Sequence, residues 1–300
     1  MRQEVFQKDV TSADGTRLRM YVVGPPVGEW IVLANGLGGN IEAWRYLVEH
    51  FSQKYRLLTW DYRGLYRSSK PKENSVSAYS MERQCEDLEA VLKAEDVEKA
   101  VFIGWSMGVQ VLLEFYKRHK EKFLAMVLIN GTFGRPFETA FRSQWMRKVG
   151  KPFLELMPRL TPLFRLSRPL VAKTPLFINT VKMLGLVGPT LDHEVFYDLC
   201  DDWLQLDFDA YSKTFEALAE HDASDCLPNI ECPTLIIAGE KDLFTPKEVA
   251  ERMRAEIPQA ELVIVQNGSH YTPVEYPASV NLHIETFLTN RVFVKSKKRR

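Results

Sequence analysis

Cysteine is scarce in this chain, and its four copies, Cys85, Cys200, Cys226 and Cys232, are irregularly spaced. That spacing excludes a disulfide framework and the paired ligand pattern of a structural zinc site. The thiols are read as reduced, in a cytoplasmic protein. Net charge is also lacking: 39 Lys and Arg balance 39 Asp and Glu, so the chain as a whole has no bias toward nucleic acid or acidic partners. No run approaches the ~18 consecutive apolar residues of a membrane span. The opening Met1-Arg2-Gln3-Glu4-Val5 turns polar at once and lacks the apolar stretch of a secretory signal. There is no internal repeat and no low-complexity segment.

What is present centres on Ala100 to Gly108, a short apolar run ending in Gly104-Trp105-Ser106-Met107-Gly108. Apolar residues then recur at 109, 112, 113 and 116, which is helical spacing. A serine on so tight a strand-to-helix turn is forced into a strained backbone, with its hydroxyl held out at the end of the sheet. Around this stretch, strands and helices alternate. Val5 to Val10 and Leu18 to Val23 read as a hairpin about Asp14-Gly15. Strands follow at Trp30 to Ala34, Tyr55 to Trp60 and Leu124 to Ile129, then at 234–238 and Glu261 to Val265. Helices are expected after Asn40 as N-cap, over Met81 to Ala94, near Pro246 to Ile257 and from Pro277 to Leu288. The expected fold is therefore α/β, a mostly parallel open sheet with helices on both faces. The alternation stops between Phe133 and Asp225, a stretch rich in aromatics and prolines. That interval is expected to be a helical lid, residues 133–226, inserted into a core of residues 1–132 and 227–300.

A serine hydroxyl is a poor nucleophile until a base takes its proton, and that base needs a third group to orient it. Ligands of open α/β sheets sit at the carboxyl ends of the strands. Two loops there carry suitable groups: Gly239-Glu240-Lys241-Asp242 and Gly268-Ser269-His270. Of six histidines, only His270 immediately follows a core strand at that edge. Glu240 and Asp242 both stand in the acid loop. Gly36-x-Gly38 imitates a dinucleotide-binding turn, but the third glycine would fall at Ile41, and no Gly-Lys-Ser/Thr follows to make a phosphate loop.

The chain resembles an α/β-hydrolase from end to end. The resemblance rests on Asn35-Gly36-Leu37-Gly38-Gly39, Asp61-x-Arg63-Gly64, Gly104-x-Ser106-x-Gly108, Gly239-x-x-Asp242 with Pro246, and Gly268-x-His270 with Glu275-x-Pro277. It implies that Ser106 is the nucleophile, His270 the general base and then acid, and Asp242 its orienting carboxylate. It implies an oxyanion hole made of the backbone N–H groups of Leu37 and Met107, with no metal or organic cofactor. A serine at the elbow sets aside the relatives that attack with a carboxylate. Two positions depart from the pattern. Asn35 stands where the family often has histidine, and Tyr66 stands where glycine commonly follows the Asp-x-Arg-Gly turn.

The implied activity is hydrolysis of a small-molecule carboxylic ester or lipid-like substrate with an apolar acyl or alcohol group. Alternatives are hydrolysis of a carbon–carbon bond in β-diketone-type compounds, cofactor-free perhydrolysis, and ligand sensing with slow turnover. Charge is segregated in the lid. Arg142, Arg147, Lys148, Lys151, Arg159, Arg165, Arg168 and Lys173 crowd its first half, whereas Asp192, Glu194, Asp198, Asp201, Asp202, Asp207 and Asp209 crowd its second. The expectation is two faces attracting each other across the lid. Alternatively, the basic first half, with the tail Lys295-Ser296-Lys297-Lys298-Arg299-Arg300, makes peripheral contact with an anionic membrane.

Overall fold

The computed structural model describes residues 4–139, 152, 156, 159, 174–183 and 186–293. Eight strands form one sheet: β1 (Val5–Thr11), β2 (Arg17–Val23), β3 (Trp30–Ala34), β4 (Arg56–Trp60), β5 (Ala100–Trp105), β6 (Phe123–Ile129), β7 (Thr234–Gly239) and β8 (Glu261–Val265). Their spatial order is β1-β2-β4-β3-β5-β6-β7-β8. The β1/β2 hairpin is antiparallel, β2 runs antiparallel to β4, and every pairing from β4 to β8 is parallel.

Among the described residues the helices longer than a single turn are α1 (Arg45–Phe51), α2 (Met81–Lys93), α3 (Met107–His119), α4 (Pro175–Met183), α5 (His193–Trp203), α6 (Phe208–Glu220), α7 (Lys247–Glu256) and α8 (Pro277–Phe287). The period-two alternation of the strands divides the core into two layers. Val32, Phe102, Met126, Leu128 and Ile236 pack with α2, α3 and α7 on one face. Ile31, Leu33, Val101, Ile103, Val127 and Ile237 pack with α1 and α8 on the other. Each such fully buried aliphatic side chain contributes about 1.5–3 kcal/mol of transfer free energy.

Element ends shift slightly from the sequence reading. Tyr55 does not open β4, because its N–H closes the turn after α1 on the Phe51 carbonyl at 2.9 Å. Asn40 caps a single 3-10 turn, Ile41–Trp44, through the Glu42 N–H, and α1 begins only after it. Pro246 stands just before α7 as its cap residue. A short turn of helix, Thr272–Glu275, follows the His270 loop. No helix of the described residues is long and apolar enough to cross a membrane.

The chain leaves the sheet after β6 and returns to it at β7. An antiparallel bridge between Gly134 and Asp222 joins the outgoing and returning segments, flanked by Arg135 N–H to His221 O at 2.7 Å and Ala223 N–H to Phe133 O at 2.8 Å. Much of the acidic row of this inserted segment finds partners on the core. Asp198 lies 3.2 Å from Arg45, Asp207 2.5 Å from Lys70, and Asp209 2.9 Å from the Asn74 amide. Asp202 accepts from Asn40 at 2.7 Å, and Asp192 accepts from Tyr46. These partners all belong to the segment between β3 and β5, so the acids fasten α5 and α6 to the sheet's carboxyl edge. The bases expected to oppose them, Arg159 excepted, and the basic tail lie outside the described residues.

Candidate active site

From β3 the chain crosses through α1 on one face to β4, then through α2 on the other face to β5. The strand order therefore reverses between β3 and β5, and their carboxyl ends open into the crevice where open α/β sheets bind ligands. Ala34 and Gly104 are paired in register there, so the loop after β3 and the turn after β5 stand side by side.

Ser106 sits between β5 and α3 at φ 56°, ψ −116°, a conformation that costs a non-glycine residue on the order of 1–3 kcal/mol. The turn closes only because position 108 has no side chain. A Cβ there would lie 2.0 Å from the Ala34 carbonyl oxygen.

His270 and Asp242 reach Ser106 from the ends of β8 and β7. His270 Nε2 is 2.9 Å from Ser106 Oγ, and its Nδ1 is 2.8 Å from Asp242 Oδ2. A carboxylate can only accept, so Nδ1–H donates to Asp242 and Nε2 is left to accept from the serine. Asp242 is fully buried, yet both oxygens are satisfied. Oδ1 accepts from the N–H groups of Phe244 and Thr245 at 2.8 and 2.9 Å, and Oδ2 also accepts from Thr245 Oγ1 at 2.7 Å. Glu240, the other acid of this loop, turns away and accepts from the Asn267 N–H at 3.0 Å.

The loop after β3 turns tightly at Gly36–Gly39, closed by Gly39 N–H on the Gly36 carbonyl at 2.9 Å. Leu37 lines the cavity beside Ser106, and a Cβ on Gly36 would stand 3.3 Å from that of Ser106. Met107 is the first residue of α3, so its N–H has no acceptor inside the helix. Asn35 keeps the loop tied down. Its Nδ2 donates to the Trp60 carbonyl at 2.7 Å, its Oδ1 accepts from Trp44 Nε1 at 2.5 Å, and its own carbonyl accepts from the Tyr62 hydroxyl at 2.7 Å.

Three residues support the site: Asn130, which no motif singles out, and Trp105 and Glu275, which stand in the sequence motifs without an assigned role. Asn130, at φ 44° after β6, donates through Nδ2 to the carbonyls of Ser269 and His270 at 3.0 and 2.9 Å and accepts from Gly239 N–H at 2.8 Å. The Asn130-Gly131 pair was a usable signal, because asparagine tolerates the left-handed region and its amide can serve two loops. Trp105 Nε1 also donates to the His270 carbonyl, at 3.0 Å. Buried Glu275 accepts from Ser269 N–H at 2.8 Å and Ser269 Oγ at 2.5 Å, and from Gly188 N–H at 2.5 Å.

Ser106 and His270 open into a cavity of about 530 Å³ roofed by Leu199, Trp203, Tyr211 and their neighbours from α5 and α6. Cys200 also lines it, but burial pushes its thiol up to about 12, so it stays protonated and offers no competing thiolate. A larger polar groove, of about 960 Å³, runs between β1 and α5 past Glu42, Arg45 and Asp198 and contains none of the three residues. His50, His119 and His193 pair with Glu285, Glu89 and Lys182. His221 lies against Gln110 and Glu114.

A family sequence pattern described as alpha/beta hydrolase fold matches residues 29–161, and a second, described as TAP-like protein, matches residues 188–293. The chain is 26% identical over 283 residues to 3-oxoadipate enol-lactonase 2 of Acinetobacter baylyi, covering 94% of this chain and 96% of that protein. It is 26% identical over 261 residues to a putative carbamate hydrolase RutD of Pseudomonas syringae pv. syringae, covering 87% and 94%. The solved structure of an esterase from Rhodococcus sp. ECU1013 superposes with a TM-score of 0.74 at 21% identity, covering 95% and 99%. With its eight-stranded sheet, its serine elbow and these matches along both halves, the chain belongs to the α/β-hydrolase fold family.

Proposed function

We propose that this protein is a serine hydrolase that cleaves carboxylic esters bearing an apolar acyl or alcohol group, through an acyl-enzyme. The observation that carries the proposal is the unbroken Ser106–His270–Asp242 chain, at 2.9 and 2.8 Å, opening into a cavity walled by aromatic and aliphatic side chains. His270 Nε2 takes the Ser106 proton as Oγ attacks the ester carbonyl carbon. The resulting oxyanion is received by the N–H groups of Leu37 and Met107, each worth roughly 3 kcal/mol in the transition state. His270 then passes the proton to the departing alkoxide, activates a water, and the second tetrahedral intermediate collapses to release the acid and restore Ser106. Asp242 holds the tautomer that this sequence needs and stabilises the imidazolium. Residues of the inserted segment from Val181 to Tyr211 roof the cavity, and the segment expected as residues 133–226 would act as the lid that excludes water and selects the apolar group. A lactone is a cyclic ester, so the names of the enol-lactonase and esterase relatives are consistent with this reaction class.

The test is labelling with a fluorophosphonate probe alongside turnover of a p-nitrophenyl acyl series. Wild type should label and hydrolyse, and Ser106→Ala should lose both. Absence of labelling in folded wild type would remove the proposal, whereas labelling with negligible turnover would favour a sensing role.

A further inference from the structure

Tyr66 occupies the position where the resemblance led us to look for glycine, and it is held at φ 48°. A bulky side chain in that region is an outlier that the surroundings must hold in place. What holds it is the loop beside Ser106. The Tyr66 hydroxyl donates to the Gly38 carbonyl, and its ring packs against the adjoining hydrophobic layer. Gly38 is itself at φ 75°, and a Cβ there would meet Trp203 Cδ1 at 2.8 Å and Tyr211 Cε2 at 3.1 Å. The Gly36–Gly39 turn is thus gripped from two sides: α5 and α6 press on Gly38, and the Tyr66 hydroxyl takes its carbonyl. Burial, then the nearby charges of Asp202 and Asp61, hold the Tyr66 hydroxyl above the ordinary phenol range. It therefore remains a donor throughout the working pH range.

We propose that Tyr66 is a positioning residue for the oxyanion loop, fixing through Gly38 the turn that presents the Leu37 N–H to the reacting carbonyl. This rests on the serine-hydrolase reading of the same site. Oxyanion donors act only when pre-aimed at the developing charge, so loosening this turn affects the transition state and spares substrate binding.

The experiment compares wild type, Tyr66→Phe and Tyr66→Gly on one p-nitrophenyl ester, with rates normalised to sites titrated by fluorophosphonate. For Tyr66→Phe, kcat should fall about tenfold with KM within twofold. Affinity for a boronic-acid transition-state analogue should fall by the same factor, while affinity for the product acid stays unchanged. Tyr66→Gly, which relieves the backbone but restores no donor, should lose at least as much kcat, and it serves as the test if the phenylalanine variant folds poorly. Unchanged kcat in Tyr66→Phe, wild-type kcat in Tyr66→Gly, or equal losses in analogue and product affinity would each overturn the inference. Failure of wild type to label or turn over would instead sink the hydrolase reading, so the two failures are told apart.

Discussion

At the residue scale, the site depends on what position 108 lacks as much as on what position 106 carries. The elbow brings the first turn of α3 against the end of β3, and the group facing Gly108 is a strand carbonyl, Ala34 O, which cannot move without breaking its sheet pairing. Gly108→Ala is expected to cost about 3 kcal/mol through overpacking and to abolish fluorophosphonate labelling as Ser106 is displaced. Urea unfolding at fixed pH measures the first and gel labelling the second. A variant that unfolds at the wild-type midpoint would show that the elbow can relax.

At the scale of elements, one carboxylate joins two segments far apart in the chain. Glu275 receives two donors from the His270 loop and one from Gly188 in the inserted segment, so the His270 loop and part of the cavity roof share a single anchor. Removing the acceptor leaves buried N–H and O–H groups unpaired, at about 1–3 kcal/mol for each. Glu275→Ala should therefore lose roughly 3 kcal/mol of stability and, on the proposed function, most p-nitrophenyl ester turnover. Glu275→Gln, which keeps one acceptor oxygen, should fall between it and wild type in both the urea midpoint and kcat. The acids of α5 and α6 work in the same sense, fastening the roof to the core through Arg45, Lys70, Asn40 and Asn74. Exposed pairs of this kind contribute only about 0–1 kcal/mol each, so it is their number along one edge that matters.

At the scale of the whole molecule, stability should carry an acid-side signature from Asp61. Its carboxylate is buried at the end of β4. There Oδ2 accepts from the Tyr21 hydroxyl at 2.9 Å and from Arg67 N–H at 3.2 Å, while Oδ1 has no hydrogen-bond partner among the described residues. Burial raises its pKa from 3.8 to about 6. The folded state thus binds this proton more tightly than the unfolded chain. The corresponding stabilisation is fully present below pH 3.8 and is lost as pH rises through about 6. A shift of that size is worth on the order of 3 kcal/mol. Relative to wild type, Asp61→Asn should gain roughly that amount between pH 4 and pH 7, read from urea titrations at the two values. A pH-independent difference between the two proteins would refute the assignment.

The sheet, its hairpin edge and the three loops of the candidate site were legible without coordinates, because each is written locally. Short continuous apolar runs mark the central strands, helical spacing marks α2 and α3, and Ser106, Asp242 and His270 each follow a strand at the same edge. Choosing Asp242 over Glu240 needed the family pattern, and the tertiary structure gives the geometric reason, since Glu240 is engaged by Asn267. Contacts that join distant segments were not legible. The bond from Tyr66 to Gly38 spans 28 residues, from Gly188 to Glu275 87, and from Asn130 to the His270 carbonyl 140. Likewise the acidic row of residues 192–209 stood out in the sequence, but the core residues that several of its members meet did not. Periodicity and turn chemistry act over a few residues, so the sequence by itself determined the fold class, the serine elbow and the order of its partners. Only packing across the sheet decides which loops meet, and so only the tertiary structure decided how the Gly36–Gly39 turn is gripped, what anchors the His270 loop, and which surface holds the roof in place.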